Sequence, residues 1–261
     1  MAPFIKFIWK VLRGSAKATR AEVTRGKIRF AHGYHGKALP LEQARKLVKV
    51  DRSIHLGDLE QVIPYNRARE IILKNPDHIA VLECPCRATA KDPCLPMDVC
   101  LIIGEPFAGF ILEHHPHRAR RISQAQARDI LEAEHKRGHV HHAFFKEAML
   151  DRFYAICNCC SCCCGAMKAH RNGVPMLASS GYVARVNYEN CVGCGECSRH
   201  CQFQAITMAE KGPVIDTGRC LGCGVCRDRC RHECLTLDLD PGKCPPLEIT
   251  RLMEKYASER T

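Results

Sequence analysis

Residues 191–208 read CVGCGECSRHCQFQAITM and residues 220–237 read CLGCGVCRDRCRHECLTL. The two stretches superimpose with a period of about 29 residues. Both have the spacing C-x2-C-x2-C-x3-C, which supplies Cys191, Cys194, Cys197 and Cys201 from the first copy and Cys220, Cys223, Cys226 and Cys230 from the second. A four-iron cubane takes one thiolate per iron, and a C-x2-C-x2-C loop can wrap three corners while its amide N–H groups point at the sulfides. Gly193, Gly195, Gly222 and Gly224 suit a backbone that must come that close. Each copy runs into a short β-type stretch, 205–208 or 235–238, and each is preceded by another, 182–186 or 213–216. Glu210-Lys211-Gly212-Pro213 supplies the turn between them. Zinc-binding repeats also use C-x2-C pairs, but they have little use for the second, overlapping C-x2-C step and the C-x3-C step in both copies.

Working outward, 20 of the 261 residues are Cys, so the chain is held either by disulfides or by metal. Export would favour disulfides, yet the apolar run of MAPFIKFIWKVLRGSAKATR is broken by Lys6 and Lys10, with no cleavage pattern after it. No stretch of about 18 or more uncharged apolar residues occurs. The chain is therefore read as cytoplasmic, where closely spaced cysteines are metal ligands. The formal charge of +11 invites a polyanionic partner. Each cubane with four thiolates carries roughly −2, however, so two would bring the total to about +7 and four to about +3. Aromatic residues do not alternate with the basic ones, which argues against nucleic acid as partner.

The region from about 182 to 240 resembles the bacterial two-[4Fe-4S] ferredoxins. That resemblance implies a β-α-β pseudo-twofold fold and two clusters close enough for electron hopping. In this arrangement the fourth cysteine of each run crosses to the other cluster. One cluster then takes Cys191, Cys194, Cys197 and Cys230; the other takes Cys220, Cys223, Cys226 and Cys201. The proline usual after each fourth cysteine is here Gln202 in one copy and Arg231 in the other. A cation at Arg231 should raise the potential of the neighbouring cluster.

Before the repeat lie two more cysteine groups, Cys84, Cys86, Cys94 and Cys100 in ECPCRATAKDPCLPMDVC, and Cys157, Cys159, Cys160, Cys162, Cys163 and Cys164 in CNCCSCCCG. YNRAREIILKNPDHIAVLECPCR, then ISQAQARDILEAEHKRGHVHH, then ICNCCSCCCG resembles, over roughly 60–170, a cysteine-rich domain of uncharacterised ferredoxin-type proteins of anaerobes. These ten cysteines would suffice for two further [4Fe-4S] clusters with two thiols spare, bringing the total to as many as four. A zinc site and a non-standard or catalytic cluster are the alternatives. The cysteines of C-P-C stand too close to span a cubane comfortably, so the two groups should mix across the fold.

Apolar residues recur at helical intervals over 41–50, 66–73 and 123–135, the last after Ser123 as N-cap, while 79–82 reads as a buried strand. The fold expected is α+β: a mainly helical cysteine-rich domain over 31–172, a linker at 173–181, the two-cluster domain at 182–246 and a C-terminal tail helix at 247–261. Residues 1–30 read as a basic amphipathic helix able to lie on an anionic membrane or in a partner's groove. His114, His115, His117, His139, His141 and His142 are expected to be solvated, and one Glu132-x-x-His135 step without a second copy does not make a di-iron site. Cys234 is expected as a small buried thiol, and Cys244 has no assigned role. No nucleotide or flavin motif is recognisable. The chain thus reads as an electron-transfer component passing low-potential electrons to or from an oxidoreductase partner, rather than as a complete enzyme.

Overall fold

The computed structural model describes residues 20–57, 59–67 and 70–258. Most of the expected amphipathic segment, residues 1–19, lies outside the described residues. From Arg20 the chain forms α1 (Arg20–Gly33) and enters β1 (Tyr34–Leu39).

The part before the repeat is not mainly helical. It is built on an eight-stranded sheet, adding to β1 the strands β2 (Ile54–Leu56), β3 (Ile71–Glu83), β4 (Asp98–Glu105), β5 (Ala119–Ile122), β6 (Val140–Lys146), β7 (Arg152–Cys159) and β8 (Leu177–Ala178). The order is β2-β3-β4-β7-β6-β1-β8, with β5 on the free edge of β3. All pairings between these strands are antiparallel except β1 with β8. Helix was expected over 66–73, but Ile71–Leu73 open β3 and pair with β2.

The physical reason is burial on both faces. Ile79, Val81, Leu101, Ile103 and Ile156 join the main core, beneath α2 (Leu41–Val48) and α5 (Gln124–Lys136). The alternate residues Ala80, Ile102 and Ala155 pack with Phe107 and Ala108 of α4 (Phe107–His114) on the opposite face. A strand covered on both sides loses the polar alternation that would announce it in sequence. α5 begins where the sequence placed it: Ser123 Oγ accepts from the Gln126 N–H and Gln126 Oε1 accepts from the Ser123 N–H, a closed capping box.

In the C-terminal part, β9 (Tyr182–Val186) pairs with β12 (Leu235–Leu239), and β10 (Ile206–Ala209) pairs with β11 (Gly212–Ile215), both antiparallel. Two helices of the N-terminal part, α3 (Pro85–Ala88) and α6 (Gly165–Arg171), start directly after Cys84 and Cys164; the single-turn helices α7 (Glu196–Arg199) and α8 (Val225–Asp228) carry the third cysteine of each copy, Cys197 and Cys226. Residues 173–181, expected as a linker, contribute β8 to the main sheet, and Ser180 is buried with its hydroxyl donating to Gly222 O at 2.7 Å. After β12 the chain returns as α9 (Ile249–Ser258), which packs on α2 and β2 and anchors its Tyr256 hydroxyl to Gly57 O. No helix among the described residues is long and apolar enough to cross a membrane.

Candidate metal centres

Equivalent glycines shape the two halves of the repeat. Gly195 and Gly224 cap α7 and α8 with φ of 75° and 86°, a conformation that L side chains resist. Gly222 is constrained twice: its φ is +65°, and an added Cβ would lie 2.2 Å from Tyr182 O. The loops thus hold a tight course that presents Cys191, Cys194 and Cys197 from one copy and Cys220, Cys223 and Cys226 from the other.

The fourth cysteines lie with the opposite copy. Cys230 lines one cavity together with Cys191, Cys194, Cys197 and Cys234. Cys201 lies near Cys220, Cys223 and Cys226; burial and then the Cys201 and Cys220 charges push the Cys223 thiol up to about 12. A free thiol there stays neutral, so binding iron is what would make it a thiolate. Cys201 Sγ also accepts from the Ala205 N–H at 3.3 Å, the kind of amide contact that supports thiolate ligands. The two sets differ in exposure. Cys194 and Val192 are open to solvent and only Cys197 of the first three cysteines is buried, whereas Cys220 and Cys226 are buried, Cys201 and Cys223 half-buried, and Leu221 joins the core of the main sheet.

The ten N-terminal cysteines sort into a group of six and a group of four, drawn from both sequence motifs. Pairing of β4 with β7 sets Cys100 opposite Cys157. Cys84 hydrogen-bonds Cys100 and Cys86, Cys86 reaches Cys164, and Cys164 Sγ lies 3.3 Å from Cys159 Sγ. Those six line the end of the sheet next to the hydrogen-bonded hydroxyls of Tyr34 and Tyr154. In the other group, Cys94, from the loop before β4, meets Cys160, Cys162 and Cys163, and their four sulfurs all lie within 4.8 Å of one another.

The two donor sets of the repeat, all thiolate with amide support, fit iron–sulfur clusters. The 4Fe-4S binding domain family matches residues 184–207, which span the first run of four cysteines. The chain is an iron–sulfur protein. No curated protein matches its sequence.

Three side chains fix the repeat of this iron–sulfur protein to the end of α5, and sequence reading, which singled out only Gln202 among them, anticipated none of these contacts. Gln202, at the position where the ferredoxin pattern has proline, accepts the Ser161 N–H at 2.8 Å and donates to Gly138 O at 3.0 Å. Arg229 donates to Lys136 O, and Asp228 Oδ2 pairs with His135 Nε2 at 2.8 Å. Carbonyls left without partners at the end of α5 are thereby satisfied from the repeat, one of them by a cation, which the helix dipole favours. Although burial raises the Asp228 carboxyl, hydrogen bonds from His135 and Arg227 hold it down to about 2.

Between the two N-terminal thiol groups runs a buried polar network centred on Arg87. Its Nη2 pairs with Glu134 Oε2 at 2.6 Å, with both side chains 1% exposed, and also meets His139 Nδ1 and Asn158 O. Its Nη1 donates to Pro96 O. One guanidinium therefore ties the Cys94 loop, α5 and the strand carrying Cys157 and Cys159.

The histidine expectation needs correction. His114, His115 and His117 are exposed, but His139, His141 and His142 are buried on or beside β6, a central strand with both faces covered. Burial pushes His141 and His142 down to about 3, so both stay neutral. Glu132 and His135 have separate partners, Arg45 and Asp228. Cys234 is buried, as expected, yet its sulfur lies 3.3 Å from Cys230 Sγ, inside the open thiol set. Cys244 accepts from the buried Lys37 ammonium at 3.2 Å.

Proposed function

We propose that the protein transfers low-potential electrons, with residues 182–246 holding two [4Fe-4S] clusters: one on Cys191, Cys194, Cys197 and Cys230, the other on Cys220, Cys223, Cys226 and Cys201. Such clusters supply reversible one-electron storage. The observation that carries this reading is the difference in exposure between the two sets. The open set, with Cys194 and Val192 at the surface, would face a redox partner, while the sealed set faces the main sheet. Gln202, directly after Cys201, hydrogen-bonds to Ser161 within the N-terminal cysteine segment, so the sealed set adjoins that segment through one side chain. The route would then run from the partner through the open and sealed sets toward the N-terminal thiols, as befits a component of an oxidoreductase system. A cytoplasmic setting accords with this arrangement.

Iron and acid-labile sulfide analysis, with EPR on anaerobically purified protein, tests the reading. Cys191→Ser and Cys220→Ser should each perturb a separate reduced-cluster signal and lower iron by about four per chain. Iron content that neither variant lowers would sink it.

A catalytic reading is favoured by one observation: the six-thiol group holds two more sulfurs than a cubane needs. A non-standard cluster there would be fed by the repeat. Its mark would be an EPR signal that Cys100→Ser abolishes and Cys191→Ser leaves in place.

A further inference from the structure

We infer that Cys94, Cys160, Cys162 and Cys163 bind a single tetrahedral metal ion of the zinc type, not a fourth cubane. Four thiolates sharing one Zn2+ at about 2.3 Å stand about 3.8 Å apart. Here the Cys162 and Cys163 sulfurs are 3.7 Å apart, those of Cys94 and Cys162 3.0 Å, and every pair in the set is within 4.8 Å. The outer thiolates of a cubane sit on four different irons, so iron–iron separation is added and they lie farther apart. The same structure contains its own comparison. Among the described residues this is the one group of three or more Cys, His, Asp or Glu whose ligand atoms come so close, and neither the repeat nor the six-thiol group does so.

Local chain chemistry agrees. Cys160-Ser161-Cys162-Cys163 contains the C-x2-C step common to structural zinc sites. The Cys163 N–H hydrogen-bonds to the Cys160 sulfur, and the Cys94 N–H donates to Cys163 Sγ at 3.4 Å. Cys162 is exposed and Cys94 half-buried, which leaves an entry path, while four protein ligands leave no open position for chemistry. The ion would staple the loop before β4 to the segment after β7. That segment carries Ser161, on which Gln202 of the repeat rests, so the ion stiffens the platform under the sealed thiol set without carrying electrons. The inference does not depend on the electron-transfer reading, because it rests on a different thiol group.

The test uses the full chain purified anaerobically. About one zinc per chain is expected, with four sulfur neighbours at about 2.3 Å by zinc K-edge X-ray absorption. A Cys94→Ser/Cys162→Ser variant should lose the zinc and keep its iron, whereas Cys84→Ser should keep the zinc. Should the double variant fail to fold, wild-type protein produced with Co2+ gives the second measurement: tetrahedral tetrathiolate cobalt bands at an unchanged iron count. The inference is overturned if the double variant loses iron instead of zinc, if Cys84→Ser is the variant that loses zinc, or if the wild-type chain binds no zinc or cobalt.

Discussion

Arg87→Met is the most informative single change. The residue is 1% exposed and its partner Glu134 equally so, and removing one member of a buried ion pair costs about 3–5 kcal/mol because the other charge is left in a dry interior. Glu134 retains His139 at 2.6 Å and the half-exposed Arg137 at 3.0 Å, which points to the lower end, about 3 kcal/mol. At about 2–4 °C per kcal/mol for a chain of this size, Tm should drop by roughly 6–12 °C. The damage should also be local in its chemistry. Pro96 O and Asn158 O lose a shared donor, so metal bound at the N-terminal thiols should be released before that of the repeat. Thermal unfolding under anaerobic conditions, followed in parallel by far-UV circular dichroism and visible absorbance, reads both effects. Arg87→Met/Glu134→Leu removes both charges and should recover most of the loss, since a buried pair replaced by apolar residues is often neutral. A single-variant shift under about 2 °C, or a double variant that falls further than the single one, would refute this reasoning.

Other substitutions probe the repeat and the buried histidines. Gly222→Ala should cost at least the 1–3 kcal/mol or so of a forced left-handed residue, and the clash with Tyr182 O should lower iron content; normal iron and Tm would contradict the geometry. Gln202→Pro installs the residue usual in the ferredoxin pattern but removes the bonds to the Ser161 N–H and the Gly138 carbonyl, so iron should stay while hydrogen exchange rises at the Ser161 amide; unchanged exchange there would count against it. For pH the sign follows from depressed histidines. His141 and His142 take up protons near 6.5 when unfolded but only near about 3 when folded, so stability is complete above the unfolded value and is lost as pH falls toward 3. At pH 5 the two together should cost about 4 kcal/mol, and His142→Phe should remove about half of that slope; a Tm that is flat between pH 7.5 and 5 would rule this out.

The repeat was legible because its information is local: cysteine spacing, glycine and short strands all lie within one stretch of about 60 residues. The sheet was not. β4, β6 and β7 are covered on both faces, so VHHAFFK looks like a histidine-rich loop until Phe144 and Phe145 are seen to be core. The sorting of the ten N-terminal cysteines was hidden for a related reason. It depends on which strands are neighbours, and Cys100 meets Cys157 only because β4 pairs with β7. Gln202 did carry a signal, since it breaks the proline pattern of the resemblance, but its partners 41 and 64 residues away in sequence could be known only from the fold.

Both ends of the repeat return to the same sheet. β8 adds the chain to the edge beside β1 just before β9, and after β12 the helix α9 docks on α2 and β2. A module fastened at its entry and its exit cannot swing between a donor and an acceptor as tethered carriers do. Any charge passing from the sealed thiols into the rest of the molecule would cross a gap set by covalent and packed geometry. That internal step should therefore be insensitive to solvent viscosity and ionic strength, leaving both as controls on encounter at the open face alone.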